Sequence, residues 1–213
     1  SKYLLAMAKI VGIAKGVILV MMLALGSCTK WNYHDGGLSY GVHDCSMWEY
    51  FHTQPYDWDS TMIMIEHAGL KELFEGQGEY EQITFFGVTN LSILNYMLQN
   101  EYEKVTDIPV EDCKNILSKL IVPQRLMVND VPRGQIIAST GEKVDGMDAQ
   151  ALRGSIFMWT HQEPYMEIEE AGEVSLYIRT SAGSANFRAV STDIQTNNGV
   201  VQAMGYACDL NKL

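Results

Sequence analysis

The chain has 213 residues, 47% of them hydrophobic and 19% charged, with a formal net charge of −11 and a pI near 4.8. Its length fits one domain or two small ones and suffices for a core without disulfide or metal staples. The acidic balance and the scatter of the 15 basic residues exclude clustered phosphate contacts, so no nucleic acid is expected as a partner.

The N-terminal stretch "SKYLLAMAKIVGIAKGVILVMMLALGSC" carries Lys2, Lys9 and Lys15 and no acid, followed by an apolar run from Val17 to Leu25. That layout predicts a secretory signal peptide over residues 1–27. The run is too short for a membrane-spanning helix, which needs about 20 apolar residues. "LGSC" (Leu25 to Cys28) resembles the lipobox of bacterial lipoproteins. The resemblance implies diacylglycerol on the Cys28 thiol, cleavage before it, and a membrane partner reached through the N-terminal lipid.

Residues 28–45 are rich in Gly, Ser, Asn and Asp and read as a lipidated flexible tether, with a reach on the order of 20–25 Å. Trp31, Tyr33 and Tyr40 interrupt it and are candidate contacts with the domain or a partner. The other cysteines, Cys45, Cys113 and Cys208, show no CxxC spacing, and the five histidines are dispersed. No metal and no cofactor are expected. One disulfide is open to an exported chain, with at least two of the three thiols expected to be buried.

Ser46 predicts the cap of a short helix ended by Gln54-Pro55, and Asp57 that of a second helix with Gly69 just past its end. Trp48, Tyr50, Phe51, Tyr56 and Trp58 crowd these helices. Their bland reading is core packing. Ile83 to Phe86 reads as a strand, with Thr89 or Asn90 capping a helix whose inner face is Leu91, Leu94 and Met97. Asp107 and Pro109 open an amphipathic helix that runs through Leu120 and Ile121. From Gln135 on, "QIIAST", "GSIFMWT", "YMEIEE", "VSLYIRT", "FRAVS" and "GVVQAM" read as short strands. Helices lead and strands trail, which points to an α+β domain.

Three segments carry a resemblance. "IEHAGLKELFEG" (Ile65 to Gly76), "ITFFGVTNLSI" (Ile83 to Ile93) and "STDIQTNNGVVQAM" (Ser191 to Met204) together resemble the fasciclin domain over roughly residues 46–210. The resemblance implies a fasciclin-like α+β domain over residues 46–213, its N-terminal helices packed on a mostly antiparallel, β-sandwich-like sheet region. Thr89-Asn90 is expected to supply helix-capping acceptors, and Asn198-Gly199 a positive-φ turn. Gln202 stands where the family usually has histidine and Gly205 where an acid is usual. "SKLIVPQ" (Ser118 to Gln124) replaces a Tyr-His pair of animal members. Receptor binding of the animal kind is therefore not carried over.

The chain also resembles fasciclin-domain lipoproteins of the Bacteroidota, found beside TonB-dependent transporters. That implies a non-enzymatic, lipid-anchored protein of the outer membrane and cell surface, serving adhesion or protein interaction, with other outer-membrane proteins as partners in nutrient uptake. The alternative is a glycan-binding lipoprotein that stacks sugars on exposed aromatics. Candidate ligand or partner contacts on the domain are Trp48, Tyr56 and Trp58. A hydrolase using the acid pairs Asp57/Asp59 or Glu111/Asp112 ranks last, since no catalytic residues are expected and no GxSxG, HExxH or phosphate loop occurs.

Overall fold

In the computed structural model, residues 41–164, 166, 168 and 172–213 are described. The expected signal peptide, Cys28, Trp31, Tyr33 and Tyr40 lie outside the described residues, as does most of the "YMEIEE" strand. Among the described residues the α-helices are α1 (Met47–Thr53), α2 (Pro55–His67), α3 (Lys71–Phe74), α4 (Asn90–Gln99) and α5 (Val110–Lys119). The strands among the described residues are β1 (Ile83–Gly87), β2 (Ile121–Val122), β3 (Gly134–Ile136), β4 (Lys143–Asp145), β5 (Met147–Gln150), β6 (Ser155–Gln162), β7 (Val174–Thr180), β8 (Phe187–Thr196) and β9 (Gly199–Met204).

Ser46 caps α1 in a reciprocal box with Glu49, each satisfying the other's backbone N–H. Pro55 opens α2 from position N1, so Gln54 and not Asp57 is the boundary residue. Gly69, at φ 69°, sits just past the C-cap Ala68, where the left-handed conformation costs glycine least. Asp107 accepts from Lys104 N–H at 3.1 Å and does not cap α5, which starts after Pro109. The apolar run "LIV" also leaves the helix early. Ile121 and Val122 pair with β1 as a two-residue strand.

Seven strands form one sheet in the order β2-β1-β9-β8-β7-β6-β5, while β3 and β4 form a separate hairpin. Every pairing is antiparallel except β1 with β9. The α+β class and antiparallel character match the expectation; the sandwich-like arrangement is corrected. The cause is β8, which pairs with β7 at its start and then with β9 through register shifts after Ala189 and Ser191. One bent strand therefore carries the sheet around instead of dividing it into two layers.

The strands β1 and β9 are buried along their whole length. Against β1 sits an aromatic cluster: Phe85 is edge-on to Phe74 at 5.0 Å, and Phe51 stacks on Trp58 at 4.8 Å. A Cβ on Gly87 would meet the Trp58 ring at 2.7 Å, so glycine there makes room for the indole.

The packed domain also begins earlier than the expected boundary at residue 46. His43 N–H donates to Gln195 O at 2.8 Å, and Asn197 N–H to Cys45 O at 2.9 Å, with Val42 bridging β8 in parallel. Residues 41–45 thus run along the sheet and are not tether. Cys45, Cys113 and Cys208 are free thiols, the latter two buried.

Candidate interaction surface

The orientation of α4 is set by side-chain amides. Asn90 donates through Nδ2 to Tyr56 O at 2.7 Å and accepts at Oδ1 from Ser60 N–H at 2.7 Å. Those are the two groups that an uninterrupted helix would pair with each other, so the carboxamide is stitched into the ladder of α2. Thr89 holds the N-cap position of α4 without a side-chain cap bond. Asn90 is therefore an inter-helix clasp and not the cap expected from "TN". On the far side, Ser92 Oγ donates to Gly205 O at 3.3 Å. At the end of the helix, Asn211 Nδ2 donates to Gln99 Oε1 at 2.7 Å.

Held this way, α4 buries Ser92, Ile93, Tyr96 and Met97. Leu91, Leu94 and Leu98 point outward, with relative exposures of 57%, 46% and 68%. The expected inner face of Leu91, Leu94 and Met97 is thus rotated by about one residue, roughly 100° of helix. Positions i, i+3 and i+7 make a continuous leucine stripe, and α4 contains no charged residue to interrupt it. Fully covering one leucine stabilises by roughly 1.5–3 kcal/mol, so a partner that covers the stripe has a driving force of several kcal/mol before ordering costs.

At its N-terminal end the stripe runs into an open hollow of about 410 Å³, walled by Tyr56, Leu91, Asp57 and Asp59. Tyr56 is 90% exposed and reaches into solvent beside it. Asp57 and Asp59 are exposed and form no ion pair among the described residues. Beyond the other end lie the exposed Glu101 and Glu103. The surface is therefore an apolar ridge with acids at both ends.

Of the domain aromatics expected to make contacts, only Tyr56 is at the surface. Trp58 is 2% exposed because its indole fills the space above Gly87, and Trp48 lies buried beneath the Lys71 ammonium, 4.9 Å from its ring. Both are corrected from candidate contacts to packing residues. Among the described residues, no group of three or more His, Cys, Asp or Glu side chains converges as metal ligands. No described helix is long and apolar enough to cross a membrane. Leu91 and Leu94 were expected on the inner face and Leu98 was not singled out; the usable signal was the inward set Ile93, Tyr96 and Met97, which competes with Leu91, Leu94 and Met97 for the same helix.

No protein-family model and no curated protein matches the chain. Among solved structures, it is similar to a FAS1 domain pair from the insect cell adhesion molecule fasciclin I, with a TM-score of 0.53 and 13% sequence identity. The match covers 75% of this chain and 49% of that one, so the chain spans about half the neighbour's length. The likeness shows a fasciclin-like fold.

Proposed function

We propose that this chain is a non-catalytic interaction module of the cell surface, and that the leucine stripe of α4 is the face on which a protein partner docks. The observation that carries the reading is the orientation of α4, which leaves Leu91, Leu94 and Leu98 in water with no charge among them. Contiguous exposed apolar surface on a folded domain marks interaction sites. The partner's chemistry follows from the surroundings: an apolar ridge flanked by basic residues, to meet Asp57 and Asp59 at one end and Glu101 and Glu103 at the other.

The fold supports an adhesive role, since the structural neighbour is a cell adhesion molecule. The lipobox-like "LGSC" supports a lipid anchor on Cys28 and residence in the outer membrane as a bacterial lipoprotein. Within that setting the module serves as an accessory subunit of a TonB-dependent nutrient-uptake complex, its partners being other outer-membrane proteins. Sugar stacking is the weaker reading, because Trp48 and Trp58 are buried and Tyr56 is the one exposed candidate aromatic among the described residues. The test is purification of the full chain from detergent-solubilised outer membranes. Metabolic labelling of Cys28 with a fatty acid and recovery with a transport protein are expected; an unlabelled free monomer contradicts the proposal.

A further inference from the structure

A second feature lies where the sheet turns. The strands β7 and β8 pair at Tyr177 with Arg188 and at Ile178 with Phe187, after which β8 swings to β9. The parting strands leave a half-open cleft of about 260 Å³, walled by Tyr177, Phe187, Arg188, Val190, Tyr206 and Cys208.

The walls differ in how they are packed. Tyr177 ends an aromatic ladder: its ring stacks on Trp159 at 5.5 Å and 12°, and Trp159 stacks on Phe157 at 5.3 Å. The Lys143 ammonium closes the ladder 4.7 Å from the Phe157 ring. Tyr206, by contrast, is 70% exposed and makes no ring stack among the described residues. Arg188 supplies the charge. Its ion partner among the described residues is Glu173, at 3.9 Å and on an 84% exposed side chain. That separation is well beyond the roughly 2.7–2.9 Å of a charge-assisted hydrogen bond, so the planar donor fork remains available.

One fork of donors beside aromatic and aliphatic walls suits a carboxylate joined to an apolar group. A phosphate would call for more cations than the one that lines this cleft, whose other polar side-chain groups are the Asn186 amide and the Tyr177 and Tyr206 hydroxyls. The volume accommodates one side chain, and the open side lets a chain lead away. We propose that the cleft captures the carboxy-terminal residue of a polypeptide whose last side chain is aromatic or branched aliphatic. Arg188 holds the terminal carboxylate, and the side chain rests against Tyr177 under Tyr206. This site is separate from the α4 stripe and does not rest on it.

The test is a titration of the full chain, followed by backbone amide NMR, with N-acetyl-alanyl-phenylalanine, its C-terminal amide, and 3-phenylpropionate. The free-acid dipeptide is expected to shift residues 187–190 and 205–208. The amide and the Arg188→Gln variant should each bind about tenfold more weakly or worse, the loss expected for one charge-assisted hydrogen bond. The Leu94→Asp variant should bind the dipeptide unchanged, so failure of the α4 docking face would leave this result intact. Equal binding of acid and amide, no shift in either segment, or binding of 3-phenylpropionate without the dipeptide would each overturn the proposal.

Discussion

Met47 donates its backbone N–H to Asn198 Oδ1 at 2.8 Å, joining the first turn of α1 to the β8–β9 turn across 151 positions of sequence. The same side chain donates through Nδ2 to Leu73 O at 3.2 Å and Phe74 O at 3.0 Å, at the end of α3. One buried amide thus partners end groups of two helices, the Met47 N–H and Phe74 O, and adds a second donor to Leu73 O, which also accepts the Gly76 N–H at 3.3 Å. Asn198 has an ordinary backbone conformation, so its place in the turn is explained by these bonds and not by a positive φ. Gly199 follows because a Cβ there would overlap the Ile83 carbonyl oxygen on the neighbouring strand.

Replacing Asn198 by Ala should therefore cost more than an ordinary turn substitution. It strands one buried N–H and the Phe74 carbonyl, while Leu73 O keeps the Gly76 N–H at 3.3 Å, for a loss of roughly 2–4 kcal/mol by urea unfolding. Asn198→Asp keeps the acceptor but aims an anion at two carbonyls, and should be no better than Ala. A loss below about 0.5 kcal/mol for the Ala variant would remove the clasp from the account.

Glu101 sits at φ 60° just beyond α4, with Tyr102 N–H donating back to Met97 O at 2.9 Å. That is the helix-ending geometry in which glycine is the least strained residue. Glu101→Gly is expected to raise stability by about 0.5–1 kcal/mol, read as a higher denaturation midpoint. A lower midpoint would show that the strain is absent.

Burial pushes the Cys113 thiol up to about 11 and the Cys208 thiol up to about 12, with the adjacent Asp112 and Asp209 charges adding to it. Each folded value lies above the ordinary 9.0, so the unfolded chain releases a proton that the native chain keeps. The stabilisation is full below about pH 9 and is lost as pH rises through about 11 and 12. Cys208→Ala should lower stability at neutral pH yet flatten its decline on the alkaline side. An unchanged alkaline slope in pH-dependent unfolding would count against this assignment.

Local signals were readable where they act locally. The Ser46 box, Gly69 beyond α2 and the apolar runs of β1, β7 and β9 are short-range patterns, and each element formed where its pattern lies. The rotation of α4 was not readable, because Asn90 fixes it against Tyr56 and Ser60, some 30 residues away. Ile121 and Val122 continued a helical apolar run, and only pairing with β1 makes them a strand. The crowding of Trp48, Tyr56 and Trp58 fixed no orientation; the gap above Gly87 decided that Trp58 turns inward. Gln202, where the resemblance to the fasciclin domain led to an expected histidine, is a buried tie. It accepts from Asp193 N–H at 2.9 Å and donates to Leu126 O at 3.2 Å, holding the bend of β8 to the segment after β2.

In the function proposed above, Leu91, Leu94 and Leu98 form the docking face for an outer-membrane protein partner. The most direct test compares the native chain with the triple variant Leu91→Ser, Leu94→Asp, Leu98→Ser, both expressed with Cys28 intact and purified from solubilised outer membranes. All three side chains are exposed to about half or more of their surface, so the variant should unfold within about 1 kcal/mol of the native chain. Recovery of the co-purified transport protein is expected to fall at least about tenfold, as the loss of several kcal/mol of apolar burial requires. A stably folded variant that recovers the same protein in equal amount would contradict the claim.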